Sequence, residues 1–124
     1  PNPDVAEATR MVEDYYAAID AGDYERAFSY WGDSGRSSGQ SYLQFVAGFA
    51  ETAEVAEAAG DAGRVEGAAG SRYIQIPVVV TATTKAGREQ RYQGTYTLRR
   101  AVVDGATPEQ RRWHLHDAEL RELR

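Results

Sequence analysis

The spacing of apolar residues changes period once along the chain. In the first part they recur every three or four positions. Val5, Ala8, Val12, Tyr15 or Tyr16, and Ile19 form the single stripe of an amphipathic helix. Asp4 is placed to cap it, with Glu7 three residues on and Pro3 just outside. Ala21-Gly22-Asp23 interrupts the stripe. Gly22 suits the left-handed position after a helix, and Asp23 can cap a second short helix carrying Tyr24, Ala27, Phe28 and Trp31. Residues 32–39, Gly-Asp-Ser-Gly-Arg-Ser-Ser-Gly, read as a polar loop. Ser41 then caps a third helix whose apolar face is Tyr42, Phe45, Val46 and Phe49.

Beyond about Thr52 the period becomes two. Val55 and Ala58 suit a short strand, although the Ala and Glu content there also suits a helix, and Arg64 to Ala68 is a second short strand after a turn at Gly60 to Gly63. The pattern is strongest from Tyr73 to Thr83, where Ile74, Ile76, Val78, Val80 and Ala82 share a face. Pro77 falls on the other face and predicts an edge or a bulge. After a turn at Lys85 to Gly87, the strand Gln90 to Arg100 sets Tyr92, Gly94, Tyr96 and Leu98 opposite Arg91, Gln93, Thr95, Thr97 and Arg99. A turn at Asp104 to Pro108 leads to a last strand, about Gln110 to Leu120. Trp113, Leu115 and Asp117 lie on one of its faces, His114, His116 and Ala118 on the other. Helices followed by an antiparallel meander predict an α+β domain, three N-terminal helices packed on one face of an antiparallel sheet of four to six strands.

Composition narrows the function classes. The chain has 124 residues, room for one domain spanning 1–124. Its 42% hydrophobic and 27% charged residues exclude wholesale disorder. No apolar run approaches the ~20 residues of a membrane helix. A net charge of −5 argues against a dedicated nucleic-acid binder, and the absence of cysteine removes disulfides, thiolate metal sites and Cys nucleophiles. All the basic residues but Lys85 are Arg, which a GC-rich coding sequence explains. The Pro1-Asn2-Pro3-Asp4 lead-in without an initiator Met is expected of a trimmed chain, residues 1–3 being the remnant of a tether. That favours a periplasmic or lipid-anchored location over a cytoplasmic one.

The run from Tyr15 to Tyr24 (Tyr-Tyr-Ala-Ala-Ile-Asp-Ala-Gly-Asp-Tyr), with Ala27-Phe28 and Trp31, resembles the nuclear transport factor 2-like superfamily, also described as the SnoaL-like or cystatin-like α+β cone. Later echoes are Gly94-Thr95-Tyr96-Thr97-Leu98 and Trp113-His114-Leu115. The resemblance spans nearly the whole chain and is nearest to bacterial exported or lipoprotein-type members. It implies a sheet curled around the first helix, a conical cavity, and a homodimer through the outer sheet face. It does not fix an activity, because this fold hosts isomerases, dehydratases, cyclases and non-catalytic pocketed proteins.

Within such a cone the expected ligand lining is Tyr15, Tyr16, Trp31, Tyr42, Phe45, Ile76, Tyr92, Tyr96, Trp113 and Leu115, because buried Tyr and Trp carry polar handles that want partners. Asp117 shares the Trp113 face by alternation. There it would be a desolvated general base, with Tyr15 or Tyr16 stabilising an enolate. The alternative is a solvated carboxylate at the rim. Asp33 sits only loosely where such enzymes place another acid. His114 and His116 have a chelating spacing but face away from Trp113 and lack a third ligand, so no metal site is expected, and no cofactor motif is present. Arg99, Arg100, Arg111 and Arg112 meet across the last hairpin and need acidic neighbours such as Glu89, Glu109 or Glu119. The Gly-Asp-Ser-Gly of the 32–39 loop lacks the strand–elbow–helix setting of a nucleophile, which leaves a rim loop. The sequence therefore supports two readings. One is a non-catalytic domain binding a small apolar or amphipathic ligand or a protein partner; the other is a SnoaL-like isomerase or cyclase.

Overall fold

The computed structural model describes residues 2–123. Its elements run α1 (Pro3–Asp20), α2 (Tyr24–Ser29), a 3-10 turn (Arg36–Ser38), α3 (Tyr42–Ala47), β1 (Thr52–Ala59), β2 (Glu66–Ala68), β3 (Ser71–Thr84), β4 (Glu89–Ala101), α4 (Pro108–Arg111) and β5 (His114–Leu123). Three helices precede the strands, as the change of period predicts, and the short α4 lies between β4 and β5. Helix α1 starts earlier than expected: Asn2, not Asp4, is the cap, and its side chain accepts from the Asp4 N–H at 2.9 Å. Pro3 occupies the first turn, where its missing N–H is harmless. Gly22 takes the expected left-handed φ of 75°, and Asp23 and Ser41 cap α2 and α3.

The sheet is antiparallel in the order β1-β3-β4-β5, with β2 pairing the start of β3 beyond the end of β1. The inner face of β3 is the predicted one, since Ile74, Ile76, Val78, Val80 and Ala82 are all buried. Pro77 sits inside this central strand because it falls where β1 ends. Its carbonyl accepts from Gly60 N–H at 2.8 Å on the side where β3 exchanges β1 for β2, so its missing N–H breaks no ladder bond. Gly94 marks the tightest approach of β4 to β5. A Cβ there would lie 1.8 Å from the Glu119 carbonyl oxygen, so only glycine permits this pairing, at a point where the sheet curls.

Two expectations about the last strand are corrected. First, Gln110 lies in α4, not in a strand. Thr107 and Gln110 form a reciprocal capping box and Pro108 opens the turn. Second, β5 carries a bulge: Thr97 pairs Asp117 and Leu98 pairs Leu115, which leaves His116 without a partner. The extra residue reverses the alternation, so Leu115 and Ala118 face inward and Asp117 faces out with Thr97.

The sheet wraps α1. Asp20, at the end of α1, accepts the Val55 backbone N–H at 2.9 Å and ties the helix to β1. The core lies between α1 and the inner sheet face, where Val12, Ile74, Ile76, Leu98 and Leu115 are fully enclosed.

Candidate functional site

The cone's centre is occupied by the aromatic set itself. Tyr15, Tyr16, Trp31, Phe45, Tyr96 and Trp113 are each at most 7% exposed. Tyr15 stands in edge contact with Tyr16, Trp31 and Tyr96, at centroid distances of 5.1, 6.3 and 6.0 Å. Their polar atoms are satisfied internally: the Trp31 indole N–H donates to the Tyr15 hydroxyl at 3.2 Å, and the Tyr16 and Tyr96 hydroxyls bond each other. Burial pushes all three phenols well above their ordinary range, with mutual repulsion adding to it at Tyr15 and Tyr96. They are therefore neutral hydrogen-bonding groups. Ile76 and Leu115 pack in the same core, Tyr92 is half-buried beside it, and Tyr42 stands apart, 41% exposed against Phe28. The space expected to hold a ligand is filled by side chains that partner one another.

Asp117 is not among them. The bulge at His116 turns its carboxylate to the exposed outer face, away from the tyrosine hydroxyls, and this corrects its expected position beside Trp113. The carboxylate that does face the tyrosines is Glu57, on the inner face of β1 two residues from Val55. Its Oε2 is buried without a hydrogen-bond partner, and desolvation, reinforced by Glu13 on α1, raises its pKa. A charged residue in an inward position of an alternating strand is the one signal in the sequence that points to it.

Arg100 and Arg111 meet across the hairpin, Arg100 donating to the Arg111 carbonyl at 3.4 Å, while Arg99 and Arg112 take other partners. Arg99 points outward and donates from Nε to the buried Ser71 hydroxyl at 3.0 Å. Arg100 pairs with Asp4, not with any of the expected glutamates, and lies 5.7 Å from the Trp113 ring centre. Arg111 donates to the Val103 carbonyl and Arg112 pairs with Glu109. His114 has both ring nitrogens engaged, by the Arg112 carbonyl and by Glu109, and His116 is exposed against Tyr73. Asp33 is exposed and paired with Arg36.

The large open concavity lies beside the cone. The chain at Tyr30 to Gly32 runs parallel to the start of β5, Gly32 N–H donating to Leu115 and Leu115 N–H to Tyr30, at 2.9 and 2.8 Å. The 32–39 loop and α2 on one side, and β4, α4 and β5 on the other, enclose a cleft of about 1080 Å³. Phe28 and the nearly buried Trp31 and Trp113 lie at its base. Its rim carries Glu25, Asp33 and Ser34 on one wall and Arg99, Glu109 and Arg112 on the other, with His114 and His116 between. Asp33, Ser34 and Gly35 adopt φ of 55°, 56° and 92° in succession. Two adjacent non-glycine residues in the left-handed region hold strain of the kind that collects at functional loops.

The curled sheet around one long helix can now be set against known structures. Similar chains include a candidate scytalone dehydratase from Novosphingobium aromaticivorans (16% identical, TM-score 0.66, 96% of this chain and 83% of that one) and a candidate aromatic ring hydroxylase from the same organism (15%, 0.69, 99% and 95%). A protein of Kribbella flavida is similar at 15% identity and a TM-score of 0.61, over 97% and 90% of the two chains. The fold is the nuclear transport factor 2-like cone. No protein-family profile and no curated protein matches the chain. At such identities the likeness carries the cone and not an activity. Among the described residues no helix of this cone is long and apolar enough to cross a membrane, and no three His, Asp or Glu side chains gather as metal ligands.

Proposed function

We propose that the chain is a non-catalytic binding domain that takes a small amphipathic ligand in the cleft between the 32–39 loop and β5. The observation that carries this reading is the contrast in satisfaction: the interior tyrosines partner one another, whereas beside an open cleft with a polar rim the Trp113 indole N–H has no acceptor and Arg99 no ion pair among the described residues. Native mass spectrometry of the purified protein tests it. A retained molecule whose removal changes the fluorescence of the two tryptophans supports the reading; a retained molecule that leaves that fluorescence unchanged sinks it.

A second reading, a SnoaL-like isomerase or cyclase, is favoured by Glu57. A partly buried carboxyl facing Tyr16 has the chemistry of a proton acceptor beside a hydroxyl donor, in the role once expected of Asp117. The two similar Novosphingobium proteins, a candidate scytalone dehydratase and a candidate aromatic ring hydroxylase, are compatible with it. Incubating the retained molecule with protein in deuterated water separates the readings. Deuterium uptake by wild type but not by Glu57→Gln establishes catalysis; no uptake by either leaves binding.

A further inference from the structure

We infer that the free edge of β5 pairs with the same strand of a second copy of this chain, antiparallel and centred on Leu120, so that the two sheets join across a two-fold axis. This is independent of the cleft, which none of residues 118–122 lines.

β5 ends the sheet on one side, and its two halves differ. At its start the edge is covered. Leu115 exchanges backbone hydrogen bonds with Tyr30 and Gly32, and the bulge at His116 follows. From Ala118 on, no backbone group among the described residues outside β4 bonds to the strand. The Glu119 carbonyl is directed at Gly94 of β4. By the alternation of a strand, Ala118, Leu120 and Glu122 therefore turn their N–H and C=O groups to the open edge. Such an edge is a template for another strand, and proteins ordinarily blunt it. β1, the opposite edge, is blunted in this way: it carries Glu54 and Glu57 and no basic residue, so a second copy of it is repelled.

β5 instead carries both signs of charge in an order that complements itself. Centred on Ala118, two-fold pairing sets Asp117 opposite Glu119; centred on Glu119, Arg121 or Glu122 it sets each against its own copy. All four place like charges face to face. Centred on Leu120, it sets Glu119 of each protomer opposite Arg121 of the partner subunit, twice, and no like charges meet. Leu120 itself is 40% exposed, because its neighbour on β4 is Gly94, which has no side chain to cover it. In this register it is covered by its own copy across the axis. One strand edge is a small interface, so the dimer forms as concentration rises and is not permanent.

Sedimentation velocity over a range of protein concentrations tests this, and the residues to be changed are all exposed. The wild type is expected to pass from monomer to dimer. Arg121→Glu and Glu119→Arg each set like charges opposite in the pairing, and each is expected to raise the dimer Kd at least about tenfold. The double variant carrying both reversals restores the opposite-charge pairs and with them the dimer. An equimolar mixture of the two single variants forms the heterodimer. The chain has no cysteine, so Leu120→Cys supplies a single reporter. Directly opposed residues in a hydrogen-bonded antiparallel pair have Cα atoms about 5.5 Å apart, within disulfide range. Leu120→Cys is thus expected to cross-link under mild oxidant, and Thr95→Cys, on the outer face of β4, is not. Should a charge-reversed variant fail to fold, the cysteine variants decide. Monomer at every concentration overturns the proposal and leaves the reading of the cleft untouched. A dimer that survives both reversals, or that cross-links through Thr95→Cys and not through Leu120→Cys, also overturns it and moves the contact to the outer sheet face.

Discussion

The cone's interior and the cleft beside it are built from the same residue types and end in opposite states. Inside, Tyr15, Tyr16, Tyr96 and Trp31 pack ring against ring and share hydrogen bonds, so the polar handles of these four residues find partners there. Beside the cleft, the buried Trp113 N–H and the terminal nitrogens of Arg99 have no partner among the described residues, and the 32–39 loop holds two left-handed non-glycine residues. A region satisfied by its own side chains is optimised for stability. A region that leaves donors unpaired and backbone strained has been held short of that optimum, and ligand binding is the ordinary reason. Aromatic content alone therefore does not separate core from site; the state of the polar atoms does.

The sharpest way to break this comparison is to hollow the interior. Ile76 is fully enclosed, so Ile76→Ala is expected to cost about 2–5 kcal/mol and to lower the unfolding temperature accordingly. A cost well below 1 kcal/mol would mean that the cone already contains free space. Next in size, Tyr96→Phe strands the Tyr16 hydroxyl in the core and is expected to cost about 1–3 kcal/mol, whereas Arg112→Ala on the cleft rim, removing an exposed ion pair, should stay within about 0.5 kcal/mol in denaturant titrations. Equal effects at the two positions would erase the distinction. Ser34→Gly, which relieves a left-handed residue in the cleft loop, is expected to stabilise by about 0.5–1 kcal/mol. Destabilisation there would remove the argument from strain.

The smallest effect concerns Glu57. Its folded pKa is raised, so the folded state holds this proton more tightly than the unfolded chain does. Its contribution to stability is complete below the ordinary carboxyl value of 4.5 and is lost as pH rises through the raised value. Glu57→Gln should therefore unfold at a higher temperature than wild type at neutral pH, with the gap closing toward pH 4 as wild type gains stability. A gap independent of pH would show that the carboxyl is solvated in the fold.

Much of the fold is legible in the sequence. The change of period near Thr52, the inner face of β3 from Ile74 to Ala82, and the caps at Asp23 and Ser41 are local signals, and local signals survive folding. The site was less legible because it depends on events that alternation does not encode. One unpaired residue, His116, reverses the phase of β5 and moves Asp117 from the expected interior to the surface. Thr107 and Gln110 carry a capping box that turns the first residues of the expected last strand into α4, one wall of the cleft. The bridge between Trp31 and Leu115 joins segments far apart in the chain, and no pattern around either residue announces it. Glu57 was readable as a charge in an inward position, but the competing helical reading of 52–59 obscured it.

The contrast between a closed interior and an open cleft is tested most directly by following the two indole N–H signals and the ring signals of Tyr15, Tyr16 and Tyr96 while the labelled protein, stripped of any molecule it retains on purification, is titrated with that molecule. The account predicts that the Trp113 indole signal moves with saturating dependence on ligand while the Trp31 indole and the three tyrosine rings stay in place. Movement of the tyrosine rings with the Trp113 indole fixed would put the ligand inside the cone and contradict it.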